Sequence, residues 1–142
     1  MTLKELSQLY YLRQEIEYLK SKIDKLRTTA ESTSVALSAM PSSGRISDRI
    51  GSTGVDIVYY QVKLEQAQAK SIEELAKLEE YINSITDSFI RQIFRLRFEE
   101  CRQWEDVADR LNTTSYSVKH ACYRYLHRSE KLAHMAHNSM IE

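Results

Sequence analysis

The chain is predicted to be all-α, with a long, coiled-coil-like N-terminal helical hairpin followed by a C-terminal three-helix head that contains a helix-turn-helix pair. Three observations predict this. Only three Gly and one Pro occur in 142 residues, so little in the chain interrupts a helix. Apolar residues recur at three- and four-residue steps, and no stretch alternates cleanly with period two, as a half-buried strand would. Near the C-terminus, two short amphipathic stretches are separated only by Asn112-Thr113-Thr114, a turn too short for a side-by-side return.

The first element runs from Leu3 to Leu26. Leu9, Ile16 and Ile23 recur every seven residues, and Leu12, Leu19 and Leu26 repeat the series three residues later. Arg13, Glu15, Glu17, Lys20, Lys22 and Lys25 flank this a/d seam. So narrow a seam is not stable alone and needs a partner helix, either from the same chain or from a second copy. Tyr10, Tyr11 and Tyr18 are expected to cover the seam; left exposed, they would form an aromatic patch for a partner.

Residues 28–54 hold every glycine (Gly44, Gly51, Gly54), the sole proline (Pro41) and seven serines, and are expected to form a long, partly disordered loop. Within it Val35, Leu37 and Met40 suit a brief helical turn. Helical patterning resumes at Val55. Leu75, Leu78, Ile82 and Ile85 make one regular seam, while Val58, Val62, Ala69 and Ile72 follow a shifted register, with Leu64 on a neighbouring stripe. An antiparallel return onto the first helix buries each seam on the other, so residues 1–86 read as the hairpin and 87–142 as the head.

The cluster Ser84-Ile85-Thr86-Asp87-Ser88 is rich in capping residues and marks a break. A helix over Phe89–Glu99 follows, with Phe89, Ile90, Ile93, Phe94 and Leu96 inward and Arg91, Arg95 and Arg97 on its other faces. Trp104, Val107, Ala108 and Leu111 then line the first helix of the pair, Trp104 as a core residue. Small Ala108 permits close approach, and Asn112 tolerates a left-handed turn. Thr114 is the expected N-cap of the second helix, whose inward side carries Val118, Ala121, Cys122 and Tyr125. That helix is expected to continue through Leu126, Leu132 and Met135 and to fray from Asn138.

The segments IFRLRF, WEDVADRL and SYSVKHACYRYL, within Asp87–Leu126, resemble region four of bacterial sigma factors. The layout of a long N-terminal helix, a Ser-rich segment with Met40-Pro41 and such a head resembles small phage and prophage regulators of the ArpU and RinA type. The resemblance implies a head that reads double-stranded DNA and contacts RNA polymerase. This chain has Asn112 at the turn glycine, Gln103 at the usual Ser or Thr cap, and Ser115 where an Arg often begins the reading helix, so no promoter preference carries over.

A second helix lying in the major groove presents Ser115, Tyr116, Lys119, His120 and Tyr123 to base edges. Arg110, Thr114, Arg124, Arg128 and Lys131 are then the phosphate contacts. Twenty basic and twenty acidic residues cancel, so attraction to DNA must come from local charge. The reading is therefore a DNA-binding transcriptional regulator, with a possible homodimer through the N-terminal helices. The alternatives are a DNA-packaging adaptor of the small-terminase kind and a protein-interaction module without DNA. No nucleophile–base pair, phosphate-cradling glycine loop or carboxylate pair is present to suggest an enzyme, and no cofactor is expected. Glu130, His134 and His137 share a helical face but read as an ordinary terminus and not as a metal site. Cys101 and Cys122 lack motif spacing, the N-terminus lacks a signal peptide's apolar core, and no apolar run spans a bilayer. Together these predict a cytoplasmic protein with no membrane partner.

Overall fold

A computed structural model describes residues 1–37 and 46–139, with side chains described except for 33–50, 134 and 136–139. It is all-α, and no strand occurs among the described residues. The helices are α1 (Leu3–Leu6), α2 (Gln8–Leu37), α3 (Ile46–Ser84), α4 (Ser88–Phe94), α5 (Trp104–Arg110) and α6 (Ser115–Ser139), with a π-helical turn over Arg95–Glu99.

The serine- and glycine-rich stretch is mostly helix, contrary to the loop expected over 28–54. α2 continues to Leu37 and α3 begins at Ile46. Pro41, Gly44 and Met40 lie outside the described residues. Serine and threonine keep α2 going by returning their hydroxyls to the carbonyl four residues back, as Thr28, Thr29 and Ser32 do to Asp24, Lys25 and Thr28. Gly51 and Gly54 sit inside α3, and a Cβ at either would meet nothing within 4 Å.

The chain forms two compact units, Met1–Tyr11 with Glu73–Glu142, and Leu12–Ile72. The packing thus groups the first eleven residues and the end of α3 with the C-terminal helices, across the sequence boundary at 86/87.

In the second unit Leu12, Leu19 and Ile23 are buried on α2 and Ala67 on α3, and Ile16 and Leu26 are half-buried. The Lys22 ammonium lies 5.8 Å from the Tyr60 ring centroid, which ties the two helices together. From that contact α2 runs on for fifteen residues and α3 begins fourteen residues earlier. A parallel pair would separate Leu37 from Ile46 by about 43 Å, whereas the nine steps between them reach at most ~32 Å. The pair is therefore antiparallel.

The α3 seam differs from the shifted register read in the sequence. Ile57, Tyr60, Leu64, Ala67 and Ser71 are buried or half-buried and form a continuous heptad stripe, with Gln61 half-buried beside it. Val58, Val62 and Ile72 are exposed instead (59%, 47% and 70%), with Ala69 exposed beside them. Polar and small residues (Gln61, Ala67, Ser71) occupy the true seam, so hydrophobicity alone pointed to the wrong face. Tyr11 and Tyr18 are likewise exposed (63% and 61%) and do not cover the seam: each precedes a buried Leu by one residue, about 100° round the helix.

The first unit holds the main core. Leu6 and Leu9 join Leu78, Ile82 and Ile85, and these pack with Ile90, Ile93, Phe94, Leu96, Phe98, Val107, Ala108, Val118, Cys122 and Leu126. Phe94 is fully buried, with the rings of Phe98 (5.2 Å), Tyr125 (5.6 Å) and Tyr81 (6.1 Å) around it. At the N-terminus Thr2 and Glu5 form a reciprocal capping box on α1.

Candidate nucleic-acid interface

The turn between α5 and α6 sets the geometry of the candidate site. Asp87 caps α4, its carboxylate accepting from the N–H groups of Phe89 and Ile90 at 2.8 and 3.1 Å. Phe89, expected to point inward, is 42% exposed, and Phe98 is buried in its stead. The π turn explains the exchange. Glu100 N–H reaches back five residues to the Arg95 carbonyl, which inserts an extra residue and rotates Phe98 inward. Cys101, at φ 57°, then reverses the chain ahead of α5.

The three arginines of this segment serve the fold. Arg91 donates to the Ile85 carbonyl at 2.7 Å and Arg95 to the Asn83 side chain at 3.0 Å. Arg97 donates to the Arg102 carbonyl, and its guanidinium lies 4.9 Å from the Trp104 ring centroid. Trp104 is partly buried against the core, with its other flank 6.2 Å from the Tyr123 ring.

Helix α5 begins at Trp104, and Gln103 before it makes no side-chain cap. It ends with Asn112 in the left-handed region at φ 50°, where the Thr113 N–H donates back to the Ala108 carbonyl. The Thr114 hydroxyl accepts from the Ser117 N–H at 3.2 Å, so the expected cap of α6 is present. Val107, Ala108, Val118 and Cys122 are buried where α5 and α6 meet. Burial also pushes the Cys122 thiol up to about 12.

The face of α6 away from this contact carries most of the residues read as DNA contacts. Tyr116 is 75% exposed, and its ring stacks on that of His120 at 5.9 Å with 17° between the planes. Tyr123, Arg124, Arg128 and Lys131 are exposed on the same side. His127, whose seven-residue spacing from His120 is plain in the sequence but which was not among the residues read as DNA contacts, belongs to the stripe. No Asp or Glu occurs between Asp109 and Glu130, whereas Arg110, Lys119, Arg124 and Arg128 do. A chain of zero net charge thus holds a locally basic stretch from Arg110 to Ser129.

Two candidates are less available than the sequence suggested. Lys119 is half-buried, with its ammonium 3.8 Å from the Glu105 carboxylate of α5. Arg110 lies 4.0 Å from Glu100, which also pairs with Arg102 at 3.1 Å. Ser115 is half-buried at the first position of α6. Glu105 was not singled out in the sequence because the pairing crosses from one helix to the next and obeys no local spacing rule.

Among the described residues no group of His, Cys, Asp and Glu is arranged to hold a metal ion; the side chains of His134 and His137 lie outside them. No described helix is long and apolar enough to cross a membrane. Comparison with protein-family models, with curated proteins and with solved structures finds no match to this chain.

Proposed function

We propose that this protein is a non-enzymatic, cytoplasmic regulator that binds double-stranded DNA sequence-specifically through α6 and controls phage or prophage transcription, with RNA polymerase and a second copy of itself as further partners. One observation carries the reading: a single exposed stripe on α6 combines Tyr116, His120 and Tyr123 with Arg124, Arg128 and Lys131, free of carboxylates from Ser115 to Ser129. Long cations at the C-terminal end suit phosphate neutralisation, and aromatic and polar groups at the N-terminal end suit groove contact. The tight α5–α6 turn supports it, since the second helix of such a pair is the one that enters a major groove. The phage assignment rests on the resemblance to ArpU- and RinA-type regulators.

Footprinting across the promoters of the genome that encodes the chain tests this directly. The expected result is a protected site in low salt, sharpened or extended when polymerase is added. The reading fails if neither the pure protein nor the protein with polymerase protects any site. Replacing Tyr116 and His120 with Ala should abolish site preference while non-specific binding remains, because the basic groups are untouched.

A further inference from the structure

We propose that the N-terminal hairpin is a self-association module whose docking face is the outer side of α3, and that its occupant is a second copy of the same chain, bound antiparallel about a twofold axis beside the Val58–Tyr59 step. The inner side of α3 is already used, because Ile57, Tyr60, Leu64 and Ala67 face the antiparallel helix. The outer side is nevertheless apolar. Val55, Val58, Tyr59 and Val62 are 70%, 59%, 56% and 47% exposed, and their spacing places all four on one helical stripe. A contiguous apolar patch on a charged hairpin marks an interaction surface.

The patch is self-complementary, which is why a second copy is the fitting occupant. With two α3 helices antiparallel and the axis at the middle of the patch, Val55 of one copy stands level with Val62 of the other, at both ends. Val58 meets its counterpart on one side of the seam, and Tyr59 meets its counterpart on the other. Asp56 and Lys63 are one heptad apart on the flank next to Tyr59, so the same operation brings each Asp56 beside the other copy's Lys63. The charges match twice in this arrangement, whereas a parallel pairing puts the two copies' Asp56 and Lys63 on opposite sides of the seam and forms neither pair. Within one chain the Lys63 ammonium lies 5.7 Å from the Tyr59 ring centroid, so it already leans over the patch border. Four side chains make less than the ~800 Å² per partner of a standard interface, so the dimer should be reversible and concentration-dependent. The proposal does not depend on DNA binding.

Sedimentation equilibrium of the full chain over a wide concentration range is the test. The expected result is a monomer–dimer equilibrium that Val58→Glu weakens by at least about tenfold, with helicity unchanged by circular dichroism. Asp56→Lys and Lys63→Glu should each weaken self-association through two like-charge pairs. An equimolar mixture of those two variants should dimerise again, since each of its cross-pairs is then opposite in sign. A chain that stays monomeric at every concentration, a dimer indifferent to Val58→Glu, a larger closed ring, or a variant mixture no better associated than its components overturns the proposal.

Discussion

Cys122 shows how far a single residue's chemistry is set by its position under the α5–α6 turn. It is fully buried, and its thiol is held neutral up to about 12. A native thiol of that kind should not react with maleimide at pH 8 and should do so only on unfolding. The linkage has a definite sign. An unfolded chain releases the Cys122 proton near the ordinary thiol range while the folded chain keeps it, so stability should fall as pH rises from about 9 towards 12. A Cys122→Ala variant should lose that component of the alkaline slope in denaturant titrations. Glu105 is the opposite case, a surface charge with consequences for the proposed duplex binding. Its pairing with Lys119 is exposed and worth at most ~1 kcal/mol to the fold, so Glu105→Gln should leave the melting temperature nearly unchanged. Duplex affinity should nevertheless rise severalfold, because a carboxylate beside the bound phosphates is removed and Lys119 is released. The salt dependence of binding should steepen by about 0.9 in log–log slope if Lys119 then reaches a phosphate. Fluorescence anisotropy with a labelled duplex measures both.

At the scale of elements, the long hairpin helices continue through residues that local propensity disfavours. Gly51 and Gly54 lie in α3 with open space where a Cβ would be, so neither is required by packing. Replacing each with Ala should stabilise the helix by about 1 kcal/mol, seen as a rise in thermal midpoint with no change in helical content at low temperature. The helix starts at Asp87 and Thr114, the left-handed Asn112 and the α2 heptads were all legible in the sequence, because each follows from a rule spanning four to seven residues. The Thr2–Glu5 capping box was equally legible as Thr-x-x-Glu, although the sequence reading passed over it. The loop expected over 28–54 was a compositional inference, and over most of that stretch the two long helices run on, with Thr28, Thr29 and Ser32 turning their hydroxyls back onto the helix's own carbonyls. The α3 seam was assigned to Val58, Val62, Ala69 and Ile72 because their apolar spacing is regular, yet burial follows the position of the partner helix. The exchange of Phe89 for Phe98 depends on a π turn that no three- or four-residue period encodes. Arg91, Arg95 and Arg97 looked like solvated cations, and only the fold shows their backbone and aromatic partners.

On the scale of the whole molecule, charge is balanced in total and divided by location. Carboxylates sit on α5 at Glu105, Asp106 and Asp109, and α6 carries none until Glu130. A globally neutral protein gains little from long-range attraction to DNA, so the proposed function draws its affinity from a few neutralised phosphates at short range and from the proposed association of copies. Arg124, Arg128 and Lys131, with Arg110 once it leaves Glu100, make four candidate phosphate contacts, which gives an expected log–log salt slope near about −3.6. The measurement that tests the central claim most directly is therefore the salt dependence of duplex binding for the intact chain and for an Arg124→Ala/Arg128→Ala variant. Binding is expected at low salt with a slope near about −3.6, falling to about −1.8 in the variant while its helicity is unchanged. Absence of duplex binding at low salt, or a slope that the two substitutions leave where it was, would contradict it.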